Sequence, residues 1–164
     1  MKDRKIYVAA ALKDVTTKWF WDPYIPSGKV TMLHGEEGVG KTLLAVKMMA
    51  ACTSRIKMDR YGKQLDHGRC LYLTKVDNLA EIIKPKLKEA GADLEDILIV
   101  NDKVPITLAD ESLKNIIIKE QVRLLVIDPF SSYLENNGSL YDNPEEIFPI
   151  IHKLALLARE TGCT

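Results

Sequence analysis

The amino-acid sequence, 164 residues long, predicts an α/β fold: a mainly parallel sheet flanked by helices. Three observations carry that expectation. Short apolar runs rich in β-formers alternate with longer segments whose apolar residues keep helical spacing. A glycine-rich octapeptide, Gly-Glu-Glu-Gly-Val-Gly-Lys-Thr at 35–42, joins one such run to one such helix. Farther on, Leu124-Leu125-Val126-Ile127 is apolar throughout and ends in Asp128, as a strand buried on both faces does. Strands alternating with helices imply right-handed crossovers. With 46% hydrophobic and 28% charged residues, the chain reads as one globular domain.

The elements follow in order. Residues 1–28 form an N-terminal segment expected to pack on a core spanning 29–164. Its aromatics Trp19, Phe20, Trp21 and Tyr24 lie beside Pro23 and Pro26; anchoring on the core and stacking on a base are both open to them. The first strand covers about 29–34, and the helix after the glycine loop runs to about 54. Residues 55–69, with Gly62 and Gly68, read as a connection, and 70–74 as the second strand. The next helix takes Asn78 as N-cap and Glu81 as its capping-box partner. Leu79, Ile82, Ile83, Leu87 and Ala90 form its stripe, Pro85 should bend or break it, and Gly91 closes it.

Residues 97–100 are a third strand, and Leu113, Ile116 and Ile117 mark a helix from near Asp110. The fourth strand is 123–128. A polar loop, 131–143, leads to the last helix, with Asn143 as cap, Pro144 at the first position and Glu146 completing a capping box. Ile147, Ile150, Ile151, Leu154 and Leu157 are its buried stripe, Pro149 implies a bend or a later start, and Gly162 stops it.

Charge narrows the partners. Lys+Arg and Asp+Glu each total 23, so the net charge is zero and no overall field grips nucleic acid; DNA contact would need a local patch or an assembly. The start, Met1-Lys2-Asp3-Arg4-Lys5, is charged and 6–12 is too short to span a bilayer, so neither leader nor membrane anchor is expected. Cys52, Cys70 and Cys163 are an odd, scattered set without metal spacing. They are expected as buried free thiols in a reducing cytoplasm.

The octapeptide matches G-x-x-x-x-G-K-S/T at every fixed position, between a strand and a helix, which is the context that makes a phosphate-binding loop credible. Gly35, Gly38 and Gly40 let the backbone turn and bring N–H groups against phosphate oxygens. The helix beginning near Lys41 adds its positive end. Gly35, Glu37, Gly38, Val39, Gly40, Lys41, Thr42 and Leu43 are therefore the expected nucleotide-binding set. Lys41 should reach the β- and γ-phosphates and serve catalysis, while the Thr42 hydroxyl should ligate Mg²⁺. Asp128, at the carboxyl end of a buried strand, is the second expected metal position. Pro129 directly after it argues against a simple helix cap. His34 precedes the loop and can touch phosphate or serve as a satisfied strand-end residue; His67 and His152 have no partners at ligand spacing.

Together these stretches resemble RecA-like ATPases of the RepA/DnaB helicase type, above all the RepA-like ATPase domains of plasmid, phage and mobile-element replication proteins. The resemblance runs from about Trp19 to the end. It rests on Trp-x-x-x-x-Ile-Pro-x-Gly-Lys-Val, the glycine loop, Leu-Tyr-Leu-Thr, Ile-Ile-Lys-Pro-Lys-Leu, Ala-Gly-Ala-Asp, Leu-Leu-Val-Ile-Asp-Pro-Phe-Ser and Ala-Arg-Glu-Thr-Gly-Cys-Thr. It implies a RecA-like P-loop NTPase that binds ATP and Mg²⁺ and hydrolyses ATP within a homo-oligomeric ring that moves DNA.

Two departures matter. The second strand of such proteins ends Ser-x-Glu-Asp, the Glu polarising the attacking water, whereas this chain has Thr74-Lys75-Val76-Asp77, with valine at the glutamate position. Asp77 is the candidate substitute, and supporting the next helix's N-terminus is its other possible role. Relatives also continue after Thr-Gly-Cys with a strand lying between the two motif strands, so the chain looks cut short within the fold, with 6–12 or a partner chain as candidate filler. The loop 131–143 corresponds to the channel-facing region. It carries Glu135 and Asp142 and no Lys or Arg, leaving DNA contact to backbone N–H groups, Tyr133 and Tyr141. The rival reading is a nucleotide-dependent interaction module with little turnover. A small-molecule kinase would call for an Arg-rich lid, and the late chain offers only Arg159.

Overall fold

The computed structural model describes residues 7–54, 66–75, 77–100, 108, 111–134 and 144–164. Along them run β1 (Trp19–Trp21), β2 (Ile25–Pro26), α1 (Lys41–Ser54), β3 (Arg69–Thr74), α2 (Leu79–Glu89), β4 (Ile97–Val100), α3 (Glu111–Lys119), β5 (Val122–Asp128) and α4 (Pro144–Thr161). The fold is α/β with a parallel sheet ordered β4-β3-β5. Cys70 to Leu73 pair in step with Ile97 to Val100, and Cys70 to Thr74 with Leu124 to Asp128.

Helices cover both faces, which is why β3 is buried from Cys70 to Thr74 without alternation. One face carries Cys70, Tyr72, Leu124 and Val126, packed against Val46, Met49 and Cys52 of α1 and Ile83 and Leu87 of α2. The other carries Leu71 and Leu73 against Leu113 and Ile117 of α3 and Leu154 of α4. At the amino edge, Arg69 reaches Asp96 at 3.4 Å and Glu120 at 2.7 Å, tying together the turns that lead into β4 and β5. All three cysteines are buried free thiols. Cys52 donates to the carbonyls of Asp66 and Gly68 (3.3 and 3.4 Å), and burial pushes the Cys163 thiol up to about 12.

Several expectations change. Residues 29–34 form no strand and lie exposed. A strand needs a neighbour, and among the described residues the free side of β5 carries only Thr164, whose N–H bonds Arg123 O (3.0 Å) and whose carbonyl accepts from Leu125 N–H (2.8 Å). Of the candidate filler, Ile6 lies outside the described residues; 7–12 are exposed, with a 3₁₀ turn at Ala9–Ala11, and take no part in the sheet.

Residues 19–26 instead make a small antiparallel hairpin around Asp22-Pro23. It buries Phe20 and Ile25 in the core beside α1, while 7–18 stay exposed. Gly28, at φ 65°, follows this hairpin, and its N–H donates to Thr164 Oγ1 at 3.1 Å.

Asn78 adopts the left-handed conformation (φ 55°) and caps α2 through its carbonyl, which accepts from Glu81 and Ile82, with no side-chain cap bond. The expected capping box is therefore absent. Helix α2 continues through Pro85 and ends in a Schellman turn, Ala92 N–H to Leu87 O, with Gly91 at φ 78°. Helix α4 begins at Pro144 and also runs through its internal Pro149. Asn143, Asp110, Gly62 and the loop 135–143, with Glu135, Tyr141 and Asp142, lie outside the described residues, as does the side chain of Glu146. Tyr133, expected in a polar, channel-facing loop, is instead buried in the second core face, with the Lys75 ammonium 5.2 Å from its ring centre. The side chain of Tyr133 is therefore not presented for DNA contact.

Truncating Leu73, fully buried on β3, should cost about 2–5 kcal/mol in urea unfolding, whereas Leu12→Ala at an exposed site should cost under about 0.5. Equal losses would contradict this core. A Cβ at Gly68 would sit 2.8 Å from Arg123 Cβ, where β5 begins. Gly68→Ala should therefore lower stability by about 1–3 kcal/mol in the same assay, and an unchanged midpoint would show that the contact yields freely.

Candidate functional site

The sheet order itself creates the crevice. From β3 the chain crosses one face through α2 to β4, then returns over the opposite face through α3 to β5. Crossovers that diverge in this way leave a gap at the carboxyl ends of β3 and β5. Thr74 and Asp128 are register partners at that gap. Alternation along the strands places Tyr72, Thr74, Val126 and Asp128 on the face that α1 covers.

Helix α1 delivers its amino end to the same place. The Thr42 hydroxyl donates to Asp128 Oδ2 at 2.7 Å. The Tyr72 hydroxyl lies 3.4 Å from the same oxygen, long for an O–H···O bond. Burial, with the Asp128 carboxylate adding to it, pushes the Tyr72 phenol up to about 12, so it remains protonated at neutral pH.

Before α1, residues 31–40 are all exposed. Gly38 and Gly40 have φ of 81° and 95°, which side-chain-bearing residues rarely adopt, and no atom lies within 4 Å of a Cβ built at either. The loop therefore needs glycine for its backbone path and keeps open space around it. The Lys41 ammonium folds back over the loop, donating to Gly35 O (2.8 Å) and Glu36 O (2.6 Å). The first helical bond runs from Leu44 N–H to Gly40 O at 3.0 Å. The N–H groups of Lys41, Thr42 and Leu43 thus have no carbonyl within α1 to bond. Val39 and Leu43 are exposed, as are Glu36 and Glu37, so from this set the site draws on backbone N–H groups.

The donor set fits Mg²⁺. A hydroxyl and a carboxylate oxygen are hard ligands, and neighbouring vertices of a magnesium octahedron lie about 2.9 Å apart for 2.0–2.1 Å bonds. The 2.7 Å separation of Thr42 Oγ1 and Asp128 Oδ2 is close to that spacing. Among the described residues no three His, Cys, Asp or Glu side chains gather into an all-protein cage, so phosphate and water would supply the remaining ligands.

The other candidates lie apart. Asp77 is exposed and makes no hydrogen bond or ion pair with the loop or with Asp128. Val76 lies outside the described residues. His34 and His152 are exposed, and the His67 Nε2 lies 2.9 Å from Thr53 O at the end of α1. Sequence reasoning missed Tyr72 and Thr74. The available signal was a tyrosine in an otherwise aliphatic strand, two residues before a threonine and so on the same face.

Comparison with known proteins agrees with this geometry. A stretch of 91 residues is 31% identical to Protein RecA of Oleidesulfovibrio alaskensis, covering 52% of this chain and 25% of that protein. The chain therefore spans about a quarter of that relative's length. A family model described as an AAA domain matches residues 9–164, nearly the whole chain. With a glycine loop, a lysine and a threonine–aspartate pair at the end of a parallel sheet, this chain belongs to the AAA domain family, as a RecA-like, nucleotide-binding ATPase domain.

Proposed function

We propose that the domain binds ATP as its magnesium complex in the cradle 35–43 and hydrolyses it within a homo-oligomer of the replication or helicase type. The observation that carries this reading is the Thr42–Asp128 hydrogen bond at the mouth of the glycine loop. It brings a hydroxyl and a carboxylate together where the phosphates would lie. In this reading Gly35, Glu37, Gly38, Val39 and Gly40, with the first N–H groups of α1, surround phosphate oxygens. Lys41 exchanges its contacts with Gly35 O and Glu36 O for oxygens of the β- and γ-phosphates. Thr42 and Asp128 hold Mg²⁺, which would neutralise charge on the phosphates.

Hydrolysis also requires water to attack the γ-phosphorus as the bond to the β-phosphate oxygen breaks, and a base that orients that water. Asp77 is the carboxylate nearest in sequence to the end of β3, and it would have to turn in from its exposed position to act. Valine at 76 and the exposure of Asp77 favour a second reading, an interaction module that binds Mg-ATP with little turnover.

DNA enters through the resemblance, since the net charge is zero and Tyr133 is buried. Buried free thiols support a reducing, cytoplasmic setting, and among the described residues no helix is long and apolar enough to cross a membrane.

Titrating Mg-ATP and Mg-GTP, with phosphate release followed on the same sample before and after adding single-stranded DNA, separates the readings. Lys41→Ala should weaken binding about 10- to 100-fold, since each 1.4 kcal/mol is tenfold. Undiminished binding would place the nucleotide elsewhere. Val76→Glu should raise basal turnover on the order of 10²-fold by restoring a base. A folded, ATP-binding variant with no gain would reject the assignment of position 76.

A further inference from the structure

Tyr72 is an expensive choice of residue. Its side chain is wholly buried on the central strand, among Cys70, Met49, Leu124 and Val126, where phenylalanine would fill the same space. A phenol hydroxyl taken out of water there costs about 1–3 kcal/mol unless it is hydrogen-bonded. Its hydroxyl lies at the site, 3.4 Å from Asp128 Oδ2, and Thr74 follows one step along the same face. Thr74 is itself buried and is the register partner of Asp128.

Both protein hydroxyls, Thr42 at 2.7 Å and Tyr72 at 3.4 Å, approach Oδ2. Among the described residues Oδ1 accepts no protein hydrogen bond. Thr42 is half-buried at the start of a helix and its hydroxyl oxygen is itself assigned to the metal, so that group has to serve the cation as well as Oδ2. The hydroxyl of Tyr72, fixed by the core, does not.

We propose that Tyr72 is a positioning residue for Asp128: its hydroxyl holds the carboxylate in the orientation that receives Mg²⁺ with nucleotide, and Thr74 steadies that hydroxyl. The inference rests on the nucleotide reading above. Without Tyr72 the carboxylate is oriented, among the described residues, by Thr42 alone, a side chain that also has to hold the metal. The chain Thr74–Tyr72–Asp128 thus acts as the outer support of a metal ligand, in the way second partners fix the ligands of metal sites generally.

The test is a Mg²⁺ titration of binding of a fluorescent ATP analogue to Tyr72→Phe, with affinity in EDTA measured alongside. Half-saturation by Mg²⁺ should rise about 10-fold, the low end for loss of such a support, while affinity in EDTA stays that of the parent. In an Asp128→Asn background the same substitution should add nothing. An unchanged half-saturation overturns the proposal. So does a shift of equal size in the Asp128→Asn background, or a variant that loses EDTA binding as well, since either marks a purely structural role. Failure of the nucleotide reading itself would be seen in the parent, as absence of Mg²⁺-dependent binding.

Discussion

The parallel pairing of β3 with β5 is the constraint from which the site follows. One register, Cys70 with Leu124 through Thr74 with Asp128, brings two segments more than fifty residues apart to the same edge. A slip of one residue would turn Asp128 to the face that holds Leu71 and Leu73, and would expose Ile127 in its place. The packing of α1 against that sheet then decides where the glycine loop ends. Because Val46, Met49 and Cys52 lie on Cys70 and Tyr72, the first turn of α1 arrives over Asp128, and Thr42 reaches it. Hydrophobic burial far from the crevice thus sets a polar distance within it.

Polar groups divide accordingly. At the amino edge of the sheet, Arg69 with Asp96 and Glu120 closes off the ends of the elements, and these partly exposed pairs add little to stability. At the carboxyl edge, buried Tyr72 and Thr74 meet a partly exposed carboxylate and a helix N-terminus. Buried hydroxyls on an otherwise apolar strand cost stability through lost hydration unless each finds a partner. Their placement beside Asp128 joins core to crevice, so the ordering of the core extends to the polar groups at the crevice.

Much of this was legible in the chain itself. Strands at 70–74, 97–100 and 123–128, the helices between them and the last helix from Pro144 all appear with boundaries shifted by at most a residue or two. Apolar runs and stripes report burial directly, and burial is what the sheet and helices share. The glycine loop was equally plain, because Gly38 and Gly40 occupy backbone conformations that other residues avoid. The aromatic hairpin was hidden because its strands are only three and two residues long. The left-handed Asn78 broke a capping pattern that the residue types alone satisfied.

What the linear order of residues determined by itself was local: which segments are apolar, where the backbone must turn, and which side chains can grip phosphate or a hard cation. Whether residues 29–34 become a strand was not local, since pairing depends on a neighbour beside β5 and their own β-forming character does not supply one. Nor was the company of Asp128, which Thr42, Thr74 and Tyr72 join from α1 and β3. Side-chain chemistry belongs to each residue, whereas distance between remote residues exists only once the sheet register and helix packing have closed the chain on itself.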